Sequence, residues 1–137
     1  MTAIASLYPV LMTGDLPRAH AFYAHLLGLD DTFVSDWYVS LAAPGDANVQ
    51  LALVARDHDS VPAAFRATAA GMLVTVEVED VDAVHARAVA AGLPFHVELR
   101  DEPWGQRHFI TEDPDGALVD VVTVIPAAPE FVAQHIA

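Results

Sequence analysis

An internal repeat constrains this chain more than any other feature. Asp15-Leu16 opens one segment of helical periodicity and Asp80-Val81 opens a second 65 residues later, while Gly28-Leu29 closes the first and Gly92-Leu93 the second at a spacing of 64. Each Asp is a strong N-cap, because its carboxylate can accept from an unpaired amide of the first helical turn. Each Gly can take the left-handed conformation that ends a helix. Leu16, Ala19, Phe22, Tyr23, Leu26 and Leu27 recur at helical spacing in the first segment, as do Val81, Val84, Ala88 and Val89 in the second. A histidine follows each capping Asp by five residues, His20 and His85. His20 and His25 stand about 140° apart around one helix axis and cannot converge on a metal.

Strand signals flank both helices. An apolar run over residues 4 to 13 precedes the first, with Pro9 marking a position unpaired on its N–H side. Short strands are expected around residues 32 to 34, 37 to 42 and 48 to 54, with turn residues between them. Residues 72 to 78 and 95 to 99 give two more. The unit is therefore β-α-β-β-β, present twice, and the fold class is α+β with two tandem βαβββ modules. The modules span about 4–56 and 71–124, joined by a linker over 57–70 that holds a helical turn or two, and followed by a tail over 125–137.

The second module ends in a hairpin led by Trp104-Gly105, turning at Asp113-Pro114-Asp115-Gly116. Pro114 presets φ for the first central turn position, and Gly116 tolerates positive φ. Beyond the turn the side chains alternate. Ala117, Val119 and Val121 point one way, while Leu118, Asp120 and Val122 point the other. Asp120 is thus alone among apolar residues on its face, which places it at a wet strand edge or against a cavity. Arg107 and His108 are adjacent and face opposite sides, and periodicity alone does not say which meets the open face.

Composition narrows the function classes. The chain has 137 residues, 54% of them hydrophobic, enough to bury a core. It has no cysteine, so thiolate nucleophiles, disulfides and Cys-held metals are excluded. Six basic against nineteen acidic residues give a formal charge of −13, which repels nucleic acid and anionic membranes. A solvated acidic surface explains most of that excess, and a neutral or cationic ligand is compatible with it. No apolar run is long enough to span a bilayer and the start carries no basic leader, so a cytoplasmic location is expected. No Gly-rich phosphate loop, dinucleotide fingerprint or serine in a strained turn is present.

The repeated unit, the opening Gly14-Asp15-Leu16…Phe22-Tyr23…Leu27-Gly28-Leu29 and the closing Trp104-Gly105…Phe109…Asp113-Pro114-Asp115-Gly116 resemble the vicinal oxygen chelate superfamily. That group takes in glyoxalase I, extradiol dioxygenases, fosfomycin-resistance enzymes and bleomycin-resistance drug-binding proteins. The resemblance covers about Ser6 to Val124 and implies a cupped mixed sheet around a cavity, often in a homodimer. It also implies four metal-ligand positions, which fall here at Tyr8, near Gln50, at Met72 or Leu73, and at Asp120. Only Asp120 is a competent hard-metal ligand, with Gln50 a weak second. The residues thus argue against the metal-based chemistry of the family's enzymes. No catalytic residue and no cofactor are assigned, and a metal-free acid–base pair of Asp120 with His108 is the enzymatic arrangement left open.

The segment Trp104-Gly105…Arg107…Phe109…Asp113-Pro114…Gly116 is closest to the drug-binding branch. The resemblance therefore implies a small-molecule-binding protein that sequesters an aromatic or cationic antibiotic or toxin. Candidate ligand-binding residues are Tyr8, Trp37, Gln50, Trp104, His108 and Asp120. The alternative is a metal-dependent lyase or dioxygenase-like enzyme with relocated ligands. One helix per module leaves sheet faces open, with Val10, Trp37, Val39, Leu73, Ile110 and Leu118 among the apolar residues on them, so a two-fold dimer is expected. A short C-terminal helix with Phe131, Val132 and Ile136 inward would cover part of that surface.

Overall fold

A computed structural model of the chain describes residues 2–135. These fall into two compact units, one running to Ala70 and including Asp113–Gly116, the other Gly71–Glu112 with the segment from Ala117 onward. Each unit holds a four-stranded mixed sheet with strands in βαβββ order, an α+β fold.

In the first unit β1 (Val10–Thr13) leads into α1 (Leu16–Leu27), followed by β2 (Asp30–Val34), β3 (Tyr38–Ala43) and β4 (Asp46–Ala55). The sheet order is β1-β4-β3-β2, with β1 parallel to β4 and the other pairs antiparallel. Asp15 caps α1 as expected, its side chain accepting from Arg18 N at 3.2 Å, and Gly28 ends it at φ 66°. Leu16, Ala19, Tyr23 and Leu26 on the helix and Leu11, Val39, Leu41, Leu51 and Leu53 on the strands are all buried. Complete burial of Leu41 and Leu53 contributes about 2 kcal/mol each. Val39 therefore lies on the helix-covered side, not on the open face.

The first strand is shorter than the apolar run suggested. Residues 2–9 are exposed and take no regular structure, although Pro9 O accepts from Ala52 N at 3.0 Å. Proline without an N–H ends the ladder on one side, and hydrophobicity upstream of it does not restore the missing donor. In the linker, a 3-10 turn forms at Ala63–Phe65.

In the second unit β5 (Leu73–Glu77), α2 (Val81–Ala90), β6 (Val97–Glu102), β7 (Gln106–Glu112) and β8 (Leu118–Val124) repeat the pattern, in sheet order β5-β8-β7-β6. Asp80 caps α2 through Ala83 N at 3.2 Å. Val74, Phe109, Val119 and Val121 are buried, as are Val81, Val84 and Ala88 on the helix. His85 packs its ring against Phe95 and Phe109, at centroid distances of 4.9 and 5.3 Å, so the repeated histidine is a half-buried packing residue at the border of the core here. Gly105 explains the Trp-Gly pair: at φ 102° a Cβ would stand 2.9 Å from Ile125 O, and Gly105 O accepts from Ile125 N at 2.9 Å. The last helix, α3 (Pro129–His135), leaves Phe131 half-buried against His135 and Val132 exposed rather than inward. Seven residues give too little face to bury both. Ile136 lies outside the described residues.

The turn Asp113–Gly116 belongs to the first unit. Gly116 N donates to Asp113 O at 3.0 Å and Asp115 N to Asp113 Oδ1 at 2.9 Å, so the turn is closed from within. Its two carboxylates also hold the start of the chain. Tyr23 Oη donates to Asp113 Oδ2 at 2.6 Å, Thr13 Oγ1 donates to Asp115 Oδ2, and Gly14 N donates to Asp115 Oδ1 at 2.9 Å.

Candidate functional site

The β7–β8 register settles the orientation that periodicity left open. Arg107 donates to Asp82 on α2 at 2.9 Å and to Asp101 at 3.0 Å, so it lies on the helix side. His108 lies on the open face. It stands opposite Val122 while Ile110 stands opposite Asp120, so His108 reaches Asp120 along the cross-strand diagonal. The contact is 2.7 Å between Nδ1 and Asp120 Oδ1. On its other side Nε2 is 2.8 Å from Glu102 Oε2, which also accepts from Arg100 Nε at 3.1 Å. His108 is 5% exposed and Asp120 7%, so neither is at a wet edge.

Both imidazole nitrogens face acceptor-only carboxylates, an arrangement that suits the doubly protonated ring. Burial is the largest single influence on His108 and lowers its pKa. The hydrogen bonds to Glu102 and Asp120, with the charges behind them, outweigh burial and hold the imidazole above its ordinary value. Glu102 is held below the usual carboxylate range, first by its bond to His108 and then by Arg100. Beside this cluster the Trp104 indole is 46% exposed, edge-on to His108 at 6.3 Å, and donates from Nε1 to Gln106 Oε1 at 2.8 Å. At the ends of β5 and β8 lies a separate open depression of about 430 Å³, lined by Glu77, Val78, Glu79, Thr123 and Val124.

The remaining candidates lie elsewhere. In the first unit Gln50 is half-buried opposite Ala42. Tyr8 is 42% exposed just before β1. Its phenol neighbours that of Tyr38, whose pKa is raised by burial first and then by Tyr8. Trp37 already carries a partner: the His58 imidazole stacks on it at 3.9 Å and 9°. His58 is tied down by Ser60 at 2.9 Å, and its carbonyl accepts from Arg66 Nη2 at 3.3 Å. Leu73 opens β5 opposite Leu118, 47% exposed.

These residues do not fit a divalent metal. Tyr8, Gln50 and Leu73 offer a phenol, an amide and an alkyl chain, and Asp120 is engaged by His108. Among the described residues no group of three or more His, Cys, Asp or Glu side chains is placed to hold a metal ion. Glu102, His108 and Asp120 do meet, but the histidine spends both nitrogens on the carboxylates and keeps no lone pair for a cation. Sequence reasoning missed Glu102 and Arg100 because the strand expected at residues 95 to 99 stopped short of them. β6 instead runs to Glu102 through a register shift between Val97 and Arg100.

The sequence profile of the Glyoxalase/Bleomycin resistance protein/Dioxygenase superfamily matches residues 5–121. Solved structures share the fold. A superfamily member from Sphaerobacter thermophilus superposes with TM-score 0.72 at 23% identity, over 88% of this chain and 98% of that one. TnmS3, an antibiotic binding protein from Streptomyces sp. CB03234, gives 0.70 at 22% identity, over 90% and 98%. A lactoylglutathione lyase from Agrobacterium tumefaciens gives 0.69 at 23% identity, over 90% and 96%. No curated protein matches the chain in sequence. Identities this low speak for the fold alone, and the profile carries the assignment: the chain belongs to the glyoxalase/bleomycin resistance protein/dioxygenase superfamily.

Proposed function

We propose that this protein binds a small planar molecule, an aromatic or cationic antibiotic or toxin, and that it does so without a metal. The observation that carries this reading is the half-exposed indole of Trp104, standing beside the buried His108–Asp120–Glu102 cluster on the open face of the second sheet. A flat apolar surface next to oriented polar groups is what a planar ligand with one or two hydrogen-bonding positions needs. An antibiotic-binding protein of the same fold supports the reading at the level of architecture. In the first unit Tyr8, Gln50 and Trp37 are offered as further contacts, Trp37 with one face already covered by His58.

The test uses fluorescence. In a Trp37→Phe protein only Trp104 emits, and a panel of planar natural products is expected to contain one that quenches it with saturation. Trp104→Ala, measured calorimetrically with that same compound, should weaken binding about 10-fold, the worth of one aromatic contact. A panel without any saturable quencher would remove the reading.

The working form is proposed to be a cytoplasmic homodimer. Val10, Phe33 and Val34 in the first unit and Leu73 and Val124 in the second are each two-fifths exposed or more, apolar surface that a second copy would cover. Among the described residues no helix is long and apolar enough to cross a membrane. Sedimentation at micromolar concentration is expected to give twice the 14.6 kDa of one chain. A single species at the chain mass would refute the dimer.

A further inference from the structure

We propose that His108 is a built-in cation, taking over at Asp120 the charge-balancing role that a divalent metal has in metal-binding members of this superfamily. The inference goes beyond the ligand-binding reading and holds whatever the ligand is. The resemblance to the family implies a fourth metal-ligand position at Asp120. In this chain Asp120 Oδ1 lies 2.7 Å from one nitrogen of His108, whose other nitrogen lies 2.8 Å from Glu102 Oε2. A buried carboxylate needs a compensating partner, and Asp120 has one from its own chain. With Arg100 on Glu102 the four side chains form an alternating row of cation, anion, cation and anion, whose charges cancel. A metal ion could enter only by stripping a proton from the ring or expelling it, and both cost the bonds already made.

The geometry also orients the row. Arg100 stands opposite His108 across β6 and β7, and Ile110 and Thr75 stand opposite Asp120 on either side of β8. Neither of the residues opposite Asp120 is a cation, and the positive charge that meets it at hydrogen-bond distance is that of His108.

Three measurements on the full chain test this. Nitrogen-detected NMR of the histidine rings near pH 6 should show both His108 nitrogens protonated; a neutral tautomer there would overturn the inference. Titration with Zn²⁺ and with Mn²⁺ should give the same uptake in the native protein and in Asp120→Ala. An equivalent of metal bound by the native protein and lost in that variant would likewise overturn it. The third measurement removes the ring. In His108→Ala, imidazole at about ten times its dissociation constant should raise the melting temperature by about 4 °C near pH 6, where imidazole is mostly charged. Pyrazole, of the same shape but uncharged, should do much less, and equal shifts from the two would mean that shape rather than charge fills the position. The quenching panel reads binding of the planar molecule and the NMR reads the charge on His108, so either can fail while the other stands, whereas metal bound at Asp120 would overturn both the charge role and the metal-free part of the binding proposal.

Discussion

Asp113→Ala is expected to lower the melting temperature by about 12–15 °C, the largest loss from any single side chain outside the apolar core. Asp113 is 5% exposed and Tyr23 fully buried. The truncation leaves the phenol without the acceptor it holds at 2.6 Å, and leaves Asp115 N without its bond to Oδ1. Two lost hydrogen bonds to a charged acceptor, one from a fully buried donor, cost about 3–4 kcal/mol together. In a domain of this size that is about 3–4 °C for each kcal/mol. Tyr23→Phe should cost about half as much, because it removes one bond and leaves the turn closed. The same pair sets an alkaline limit. Burial first, and then the bond to Asp113, push the Tyr23 hydroxyl far above its ordinary value of 10.0. A raised folded-state value means the contribution is complete below about pH 10 and is lost as pH climbs beyond it. Native stability should therefore fall by up to about 1.4 kcal/mol per pH unit above pH 10 from this group, and Tyr23→Phe should flatten that slope. Equal alkaline slopes in the two proteins, by denaturant titration, would show that the phenol is not the group responsible.

That clamp also marks how far sequence could be read. Asp113-Pro114-Asp115-Gly116 was legible as a turn because turn chemistry is local: Pro fixes one φ, Gly permits another, and Asp bonds an amide two residues on. The caps at Asp15 and Asp80 and the alternation through Val119, Asp120 and Val121 were legible for the same reason. What the turn carboxylates hold was not legible, since Tyr23 and Thr13 lie 90 and 102 residues away. The site divides along the same line. Asp120 could be singled out as a lone carboxylate on an apolar face, but its partner depends on strand register, and a register shift in β6 brings Glu102 and Arg100 into line with His108. Trp37 shows the same limit from the other side. Its size suggested a ligand platform, while the structure lays His58 from the linker across one face, a contact that no periodicity encodes.

Replacing His108 by Gln should cost most stability in mildly acidic solution, and less on either side. The sign follows from the two shifts in the cluster. His108 is held above its ordinary 6.5 by Glu102 and Asp120 against the opposing pull of burial, so its contribution is complete below pH 6.5 and is lost as pH rises through the folded-state value. Glu102 is held below its ordinary 4.5, chiefly by His108, so its contribution is complete above pH 4.5 and is lost as pH falls through its own folded-state value. The two overlap fully only between pH 4.5 and 6.5. Within that window Asp120→Ala should cost about 2–3 kcal/mol, because it strands a buried imidazolium with one carboxylate in place of two. That corresponds to roughly 7–12 °C in melting temperature. Thermal unfolding of the native protein, His108→Gln and Asp120→Ala from about pH 4 to pH 9 checks both statements, and the native-minus-variant differences should pass through a maximum in the window. A difference that keeps growing toward alkaline pH would mean that His108 is neutral when bound between its carboxylates, and that Asp120 owes its burial to some other donor.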